Sequence, residues 1–124
     1  MHYTGGYMKD MTGKIVLITG GATGIGYALA THFARDKAKV VLVDINAETL
    51  QTAAAELRST GGEVYLFICD VRDRTQVYKL ASDIHKKVGT VDILVNNAGV
   101  AYAGKFIDIP DKIHQEIMDV NIMG

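Results

Sequence analysis

The chain of 124 residues has little cysteine, little proline and no tryptophan, and its charges nearly cancel. Its one cysteine, Cys69, cannot form an intramolecular disulfide, and the apolar run before it predicts a small buried thiol in the core. Thirteen Lys and Arg residues oppose fourteen acidic ones, for a net charge of −1. Because binding to nucleic acid or to anionic lipid needs a positive field, the composition predicts neither as a partner.

Long hydrophobic runs and metal-ligating sets are also missing from the sequence. The first dozen residues contain no apolar stretch long enough for a signal peptide or a membrane-spanning helix. We therefore predict a cytoplasmic protein without a clear membrane segment. No cysteine or carboxylate completes a metal-binding set around any of the four histidines, so no metal site is expected.

Short apolar runs alternate along the chain with stretches of helical periodicity. The runs lack the polar-apolar alternation of a half-exposed strand and cover residues 14–19, 40–43, 64–68 and 93–95. Each run is followed by apolar residues at helical spacing. These stripes are Ile25, Leu29 and Phe33; Leu50, Ala54 and Leu57; Val77, Leu80, Ala81, Ile84 and Val88; and, after Pro110, Ile113, Ile117 and Val120.

This alternation predicts an α/β fold, a doubly wound parallel sheet of the Rossmann type with about four strands and flanking helices. Length and hydrophobic content predict one domain over residues 1–124. Ligands of such sheets bind beyond the carboxyl ends of the strands, near the point where strand order reverses. The unusual clusters of this sequence follow its strands, so we expect them to meet at that edge.

A glycine-rich segment, TGGATGIG at residues 19–26, lies between the first predicted strand and its helix. A dinucleotide-binding fingerprint requires this position. Gly20 permits a tight turn, Gly24 allows the backbone to approach a pyrophosphate, and Gly26 allows close packing of helix on strand. Unpaired N–H groups and the helix dipole favour an anion there. The alternative is a turn with additional glycines.

An acidic residue, Asp44, ends the second predicted strand twenty residues beyond Gly24. A carboxylate at this place can accept hydrogen bonds from both hydroxyls of an adenosine ribose, whereas a 2′-phosphate would meet like charge. Neither Ala22 nor Ile45 is a cation that would offset that repulsion, so NAD is predicted in preference to NADP. The alternative is structural, because Asp44 or Asn46 could cap the following helix.

Together with further motifs, these residues resemble the short-chain dehydrogenase/reductase family. Residues 19–26 are similar to its glycine motif, Asp70-Val71 to its adenine-contacting pair, and residues 96–99, NNAG, to its signature after the fourth strand. The resemblance implies that Asp70 accepts from the adenine amino group and that Val71 hydrogen-bonds through its backbone, although Asp70 alone is also compatible with a helix cap. The implied cofactor-binding residues are Gly20, Thr23, Gly24, Ile25, Gly26, Asp44, Asp70, Val71, Asn97, Ala98 and Gly99.

One catalytic residue is implied as well. Asn121 matches the asparagine of the family's catalytic tetrad, which holds a water in a proton relay. None of the six tyrosines has the Lys four residues later that the family requires, and Tyr102 and Lys105 are three apart in a predicted loop. The resemblance therefore implies the amino-terminal half of such an enzyme, truncated before the remaining strands and expected to be inactive alone.

The resemblance is closest to the branch of the family that acts on retinol, steroids and other lipophilic alcohols. It implies hydride transfer between NAD(H) and a secondary or lipophilic alcohol or its carbonyl, in a protein that is a homo-oligomer when full length. Two other classes stay open. One is a non-catalytic protein that binds dinucleotide or pairs with a full-length relative; the other is a methyltransferase of the same topology, against which the NNAG run and the longer glycine motif count.

Overall fold

Four strands and three helices alternate along residues 11–97, the part of the chain that the computed structural model describes. The strands are β1 (Ile15–Thr19), β2 (Lys39–Asp44), β3 (Glu63–Ile68) and β4 (Ile93–Asn96). The helices are α1 (Gly24–Arg35), α2 (Ala47–Ser59) and α3 (Arg74–Lys87). The predicted strands are confirmed with their ends shifted by at most one residue, whereas the helix predicted after Pro110 lies outside the described residues.

All strand pairs of the sheet are parallel, in the order β3-β2-β1-β4. The chain moves outward from β1 through β2 to β3 and then returns to place β4 on the other side of β1, which confirms the doubly wound fold. Thr19 at the end of β1 is in register with Val43 and with Asn96, and Asp44 is in register with Ile68. The carboxyl ends of the strands thus meet at one edge.

Helices cover both faces of the sheet, so successive side chains of a strand enter two separate apolar cores. On one face, Val16 and Ile18 of β1 pack with the buried sides of α1 and α2. On the other face, Ile15 and Leu17 pack with the buried side of α3. Burial of each such side chain contributes about 1.5–3 kcal/mol, which is why the strands are apolar throughout.

Helix α1 packs on the sheet through a stripe that shares only Phe33 with the predicted one. The prediction of Ile25 on the buried face is wrong, because that side chain is 52% exposed, and Leu29 is partly buried. The buried residues of α1 are Gly26, Ala30 and Phe33. Small residues at the first two of these positions let the helix lie close to the sheet, a requirement that hydrophobic spacing does not reveal.

The core-facing sides of the other two helices agree with the predictions. Leu50, Ala54 and Leu57 of α2 are buried, as are Val77, Leu80 and Ile84 of α3. Ala81 and Val88 are partly buried at the margin of the α3 stripe. Within residues 11–97, no helix is long and apolar enough to cross a lipid bilayer.

Candidate functional site

The glycine loop, residues 19–26, connects the end of β1 to the first turn of α1. Gly20 and Gly24 adopt left-handed backbone angles, with φ of 64° and 60°, which a residue with a side chain adopts only under strain. A Cβ added at Gly26 would overlap the carbonyl oxygen of Gly20 and lie 2.9 Å from Nδ2 of Asn97. The tight turn and the close packing predicted for this segment are therefore both present.

The amino terminus of α1 offers unpaired donors at the open side of this loop. The first N–H groups of a helix have no acceptor within the helix, and the side chain of the capping residue Thr23 does not supply one. No acidic residue lies in the first turn. Because Thr23, Gly24 and Ile25 are exposed, the positive end of the helix dipole faces solvent and can receive an anion.

Asp44 connects the end of β2 to the glycine loop. Its Oδ1 accepts from the backbone N–H groups of Ile45 at 2.8 Å and Asn46 at 3.3 Å, and its Oδ2 accepts from that of Ala22 at 3.2 Å. Asn46 is the residue that caps α2, through a hydrogen bond from Thr49 N–H to Asn46 Oδ1 of 3.1 Å. Asn46 is therefore the residue that caps α2, whereas the carboxylate of Asp44 lies beside the glycine loop.

Asp70, in the loop after β3, forms an ion pair with Arg72. The guanidinium donates from Nε to Oδ1 at 3.0 Å and from Nη2 to Oδ2 at 3.1 Å, a two-pronged geometry that suits a carboxylate. These bonds hold the pKa of Asp70 below its usual value. The cap of α3 is Asp73, which accepts from the backbone N–H groups of Thr75 and Gln76, so Asp70 does not serve as the helix cap.

Two asparagines, the last residue of β4 and the one directly after it, tie that strand to the glycine loop. The hydroxyl of Thr19 donates to Oδ1 of Asn96 at 3.1 Å, and Nδ2 of Asn97 donates to the carbonyl oxygen of Gly20 at 3.2 Å. Asn97 thus braces the loop at the point where α1 approaches it. Ala98, Gly99 and Asn121, which the sequence also assigned to the site, lie outside the described residues.

A cleft of about 190 Å³ opens between the ends of β2 and β3 and the glycine loop. This acidic cleft is lined by Gly20, Val43, Asp44, Ile45, Cys69, Asp70, Val71 and Arg72. Its apolar side chains can contact a planar base, and its carboxylates can accept from hydroxyl or amino groups. Within residues 11–97, no three His, Cys, Asp or Glu side chains are grouped so that they could hold a metal ion.

Four residues that line the acidic cleft are not among the predicted site residues: Val43, Ile45, Cys69 and Arg72. Arg72 was overlooked, although the spacing Asp-x-Arg brings a cation within reach of Asp70 when the loop turns. Cys69 was predicted as a core residue, and it is buried, but it also contributes to the wall of the cleft. Burial, with smaller contributions from Asp70 and Asp73, raises the pKa of its thiol.

Comparison with known proteins establishes the family. The profile of the short chain dehydrogenase family matches residues 14–124, so the chain belongs to that family. It is 41% identical over 114 residues to human epidermal retinol dehydrogenase 2. That alignment covers 91% of this chain and 37% of the relative. Estradiol 17-beta-dehydrogenase 11 of Macaca fascicularis is 41% identical over 116 residues, covering 94% of this chain and 39% of the relative.

A solved structure agrees with this assignment. A short chain dehydrogenase/reductase from Burkholderia phymatum in complex with NAD superposes with a TM-score of 0.69 and 37% sequence identity. The match covers 73% of this chain and 32% of that one. The chain thus spans less than two fifths of the length of these relatives, and the glycine loop, Asp44 and Asp70 belong to the part that is shared.

Proposed function

We propose that residues 1–124 form the NAD-binding part of a short-chain dehydrogenase that interconverts a secondary or lipophilic alcohol and its carbonyl. NAD(H) would supply the hydride acceptor or donor, while this chain binds and orients the dinucleotide. The relatives named retinol dehydrogenase and estradiol dehydrogenase support a lipophilic alcohol as substrate. A homo-oligomer as the full-length form is part of the same proposal.

The position of Asp44 is the observation that carries the preference for NAD. Its carboxylate lines the acidic cleft and is hydrogen-bonded to Ala22 of the glycine loop, so it lies between the base and pyrophosphate ends of the proposed site. A ribose diol supplies hydroxyl donors to such a carboxylate, whereas a 2′-phosphate brings charge of the same sign. The cation of the cleft, Arg72, is already paired with Asp70.

The remaining cofactor contacts follow from the same orientation. The pyrophosphate would lie at the amino terminus of α1, where Thr23, Gly24 and Ile25 are exposed. The adenine would occupy the acidic cleft, with its amino group donating to Asp70 and a further hydrogen bond to the backbone of Val71. By the resemblance to the family, Ala98 and Gly99 would also contact the cofactor, and Asn121 would hold the water of a proton relay.

Titration of the chain with NADH and with NADPH tests this proposal. We expect NADH to bind at least about tenfold more tightly, because one unfavourable charge contact of this kind amounts to roughly 1–2 kcal/mol. The double substitution Asp44→Ser with Ile45→Arg should reverse the preference. Serine is chosen because its hydroxyl can still accept a hydrogen bond from a neighbouring backbone N–H.

A matched control for this reversal is Asp83→Ser. Asp83 is a carboxylate on α3 that pairs with Lys79 and does not line the acidic cleft. Its loss should leave the ratio of the two affinities unchanged. Equal affinity of the parent chain for NADH and NADPH would refute the role assigned to Asp44, and no binding of either would refute the proposed function.

A further inference from the structure

The Arg72–Asp70 pair occupies most of the hydrogen-bonding capacity of the Asp70 carboxylate. A carboxylate has about four acceptor positions, two on each oxygen. Arg72 fills both positions on Oδ1, with its backbone N–H at 3.0 Å and its Nε at 3.0 Å, and one position on Oδ2, with Nη2 at 3.1 Å. Among the contacts within residues 11–97, one acceptor position on Oδ2 is left.

The loop that carries this pair is held in place by its own hydrogen bonds. The backbone N–H of Asp70 donates to Oε1 of Gln76 at 2.9 Å, and that of Asp73 donates to the carbonyl oxygen of Asp70 at 2.9 Å. The side-chain amide of Gln76 donates in turn to Asp73 Oδ2 at 3.2 Å. Since α3 begins at Arg74, the loop is anchored to the helix, and the direction of the remaining acceptor is fixed before a ligand arrives.

We propose that Arg72 is a specificity-determining residue that makes the acidic cleft select a base carrying an exocyclic amino group. The inference rests on the proposed function, in which the adenine of the cofactor lies in this cleft. A single, oriented acceptor suits one amino N–H of adenine. Hypoxanthine has a carbonyl oxygen at the corresponding position, and that oxygen would face the carboxylate with no proton between them.

The guanidinium of Arg72 has a second effect on the selection of the base. It neutralises the carboxylate of Asp70. Without it, the cleft would hold a second negative charge beside that of Asp44, although it is proposed to receive an anionic dinucleotide. Without the guanidinium, only the backbone N–H of residue 72 would still donate to Oδ1, and water molecules would take the acceptor positions that Nε and Nη2 leave. The amino group of the base would then have to compete with solvent for an acceptor that is less firmly oriented.

The test compares NADH with reduced nicotinamide hypoxanthine dinucleotide, whose base carries a carbonyl oxygen in place of the amino group and a proton on the adjacent ring nitrogen. We expect the parent chain to bind NADH about tenfold more tightly, the effect of one hydrogen bond to a charged group. Arg72→Ala should reduce the ratio to about threefold or less, chiefly by weakening NADH. Arg72→Lys, which supplies charge but no two-pronged donor, should restore the ratio only in part.

The matched control is Arg35→Ala, which removes the same side chain from the last residue of α1, at the end opposite the glycine loop. It should leave the ratio at the parent value, and the unfolding midpoints of all variants show whether they are folded. An unchanged ratio in folded Arg72→Ala, or equal weakening of both dinucleotides, overturns the inference alone. The inference is also overturned if the parent chain binds NADH and the hypoxanthine dinucleotide equally well. If the parent chain does not bind NADH, the proposed function is overturned together with the inference.

Discussion

The glycine loop and the acidic cleft lie side by side at the edge of the sheet, but they are built in different ways. The loop acts through backbone groups, and its geometry depends on the absence of side chains, as at Gly26 against the carbonyl oxygen of Gly20. The cleft acts through side chains at the end of a strand and on the following loops, such as Asp44 of β2 and the pair of Arg72 with Asp70. Substitutions in the loop should therefore damage fold and binding together, while those in the cleft should change ligand preference with little loss of stability.

The largest effect is expected at Gly26. Gly26→Ala places a Cβ against the carbonyl oxygen of Gly20, and because backbone cannot move aside cheaply, α1 has to shift away from the sheet. We expect the free energy of unfolding to fall by about 3 kcal/mol and NADH binding to be lost. Denaturation in urea, followed by circular dichroism, measures the first quantity.

Gly24→Ala is the matched substitution two residues earlier. An added Cβ meets nothing within 4 Å there, and the remaining penalty is the left-handed φ of 60°. That penalty is about 1 kcal/mol. If the two substitutions cost the same, close packing of α1 on the loop is not what makes glycine necessary at position 26.

An effect of about the same size as that of Gly24→Ala is expected at Asn46. It separates the capping role of Asn46 from the role proposed for Asp44. Asn46→Ala removes the acceptor for Thr49 N–H and should lower the free energy of unfolding by about 1 kcal/mol. The ratio of NADH to NADPH affinity should stay unchanged, because the carboxylate of Asp44 is retained. Asn46→Asp keeps the cap and serves as the control; a changed cofactor preference in Asn46→Ala would contradict this separation.

Most of the fold could be predicted from the sequence because strands that are buried on both faces of the sheet have a recognisable apolar pattern. The strands are continuous apolar runs, and Val16, Leu17 and Ile18 show why, since neighbours along β1 enter opposite cores. Helix α1 shows the limit of such patterns. Ile25 matches the apolar spacing, yet the residue that lies against the end of β1 is Gly26, which the glycine motif indicated and the apolar spacing did not.

Residues of the candidate site could be predicted from the sequence where a residue type is tied to one local geometry. They could not be predicted where two residues could each fill the same role. Asp44 and Asn46 were both possible caps, and the choice depends on which oxygen faces Thr49 N–H once the loop has folded. Arg72 was missed because residues two apart meet only in a turn. The turn after Asp70 is set by hydrogen bonds from Asp70 N–H to Gln76 Oε1 and from Arg72 N–H to Asp70 Oδ1.

Chemical labelling tests whether the acidic cleft reaches as far as Cys69. The chain has one cysteine, so alkylation reports on this thiol without interference. Burial raises its pKa, and since the thiolate is the reactive form, reaction with iodoacetamide near neutral pH should be at least about tenfold slower than for an exposed thiol. The rate should rise only at more alkaline pH.

The same labelling experiment is then repeated with the cofactor bound. Because Cys69 lines the acidic cleft, saturating NADH should slow the reaction further. Cys69→Ser, which takes up no label, is the control. A rate that is high and unaffected by NADH would show that the thiol is open to solvent outside the cleft.

The smallest effect is expected from the titration of Asp70, and it bears most directly on the difference between loop and cleft. Arg72 lowers the pKa of Asp70 in the folded chain, so the pair adds stability above the pKa of the unfolded state, about 3.9, and this stability is lost as the pH falls through the lower, folded value. Carbon NMR should show the depressed pKa in the parent chain and its return toward the ordinary value in Arg72→Ala. High salt should reduce the shift, because the pair is exposed. A depressed pKa that persists without Arg72 would mean that backbone donors orient the carboxylate, which would make the acidic cleft as dependent on the fold as the glycine loop is.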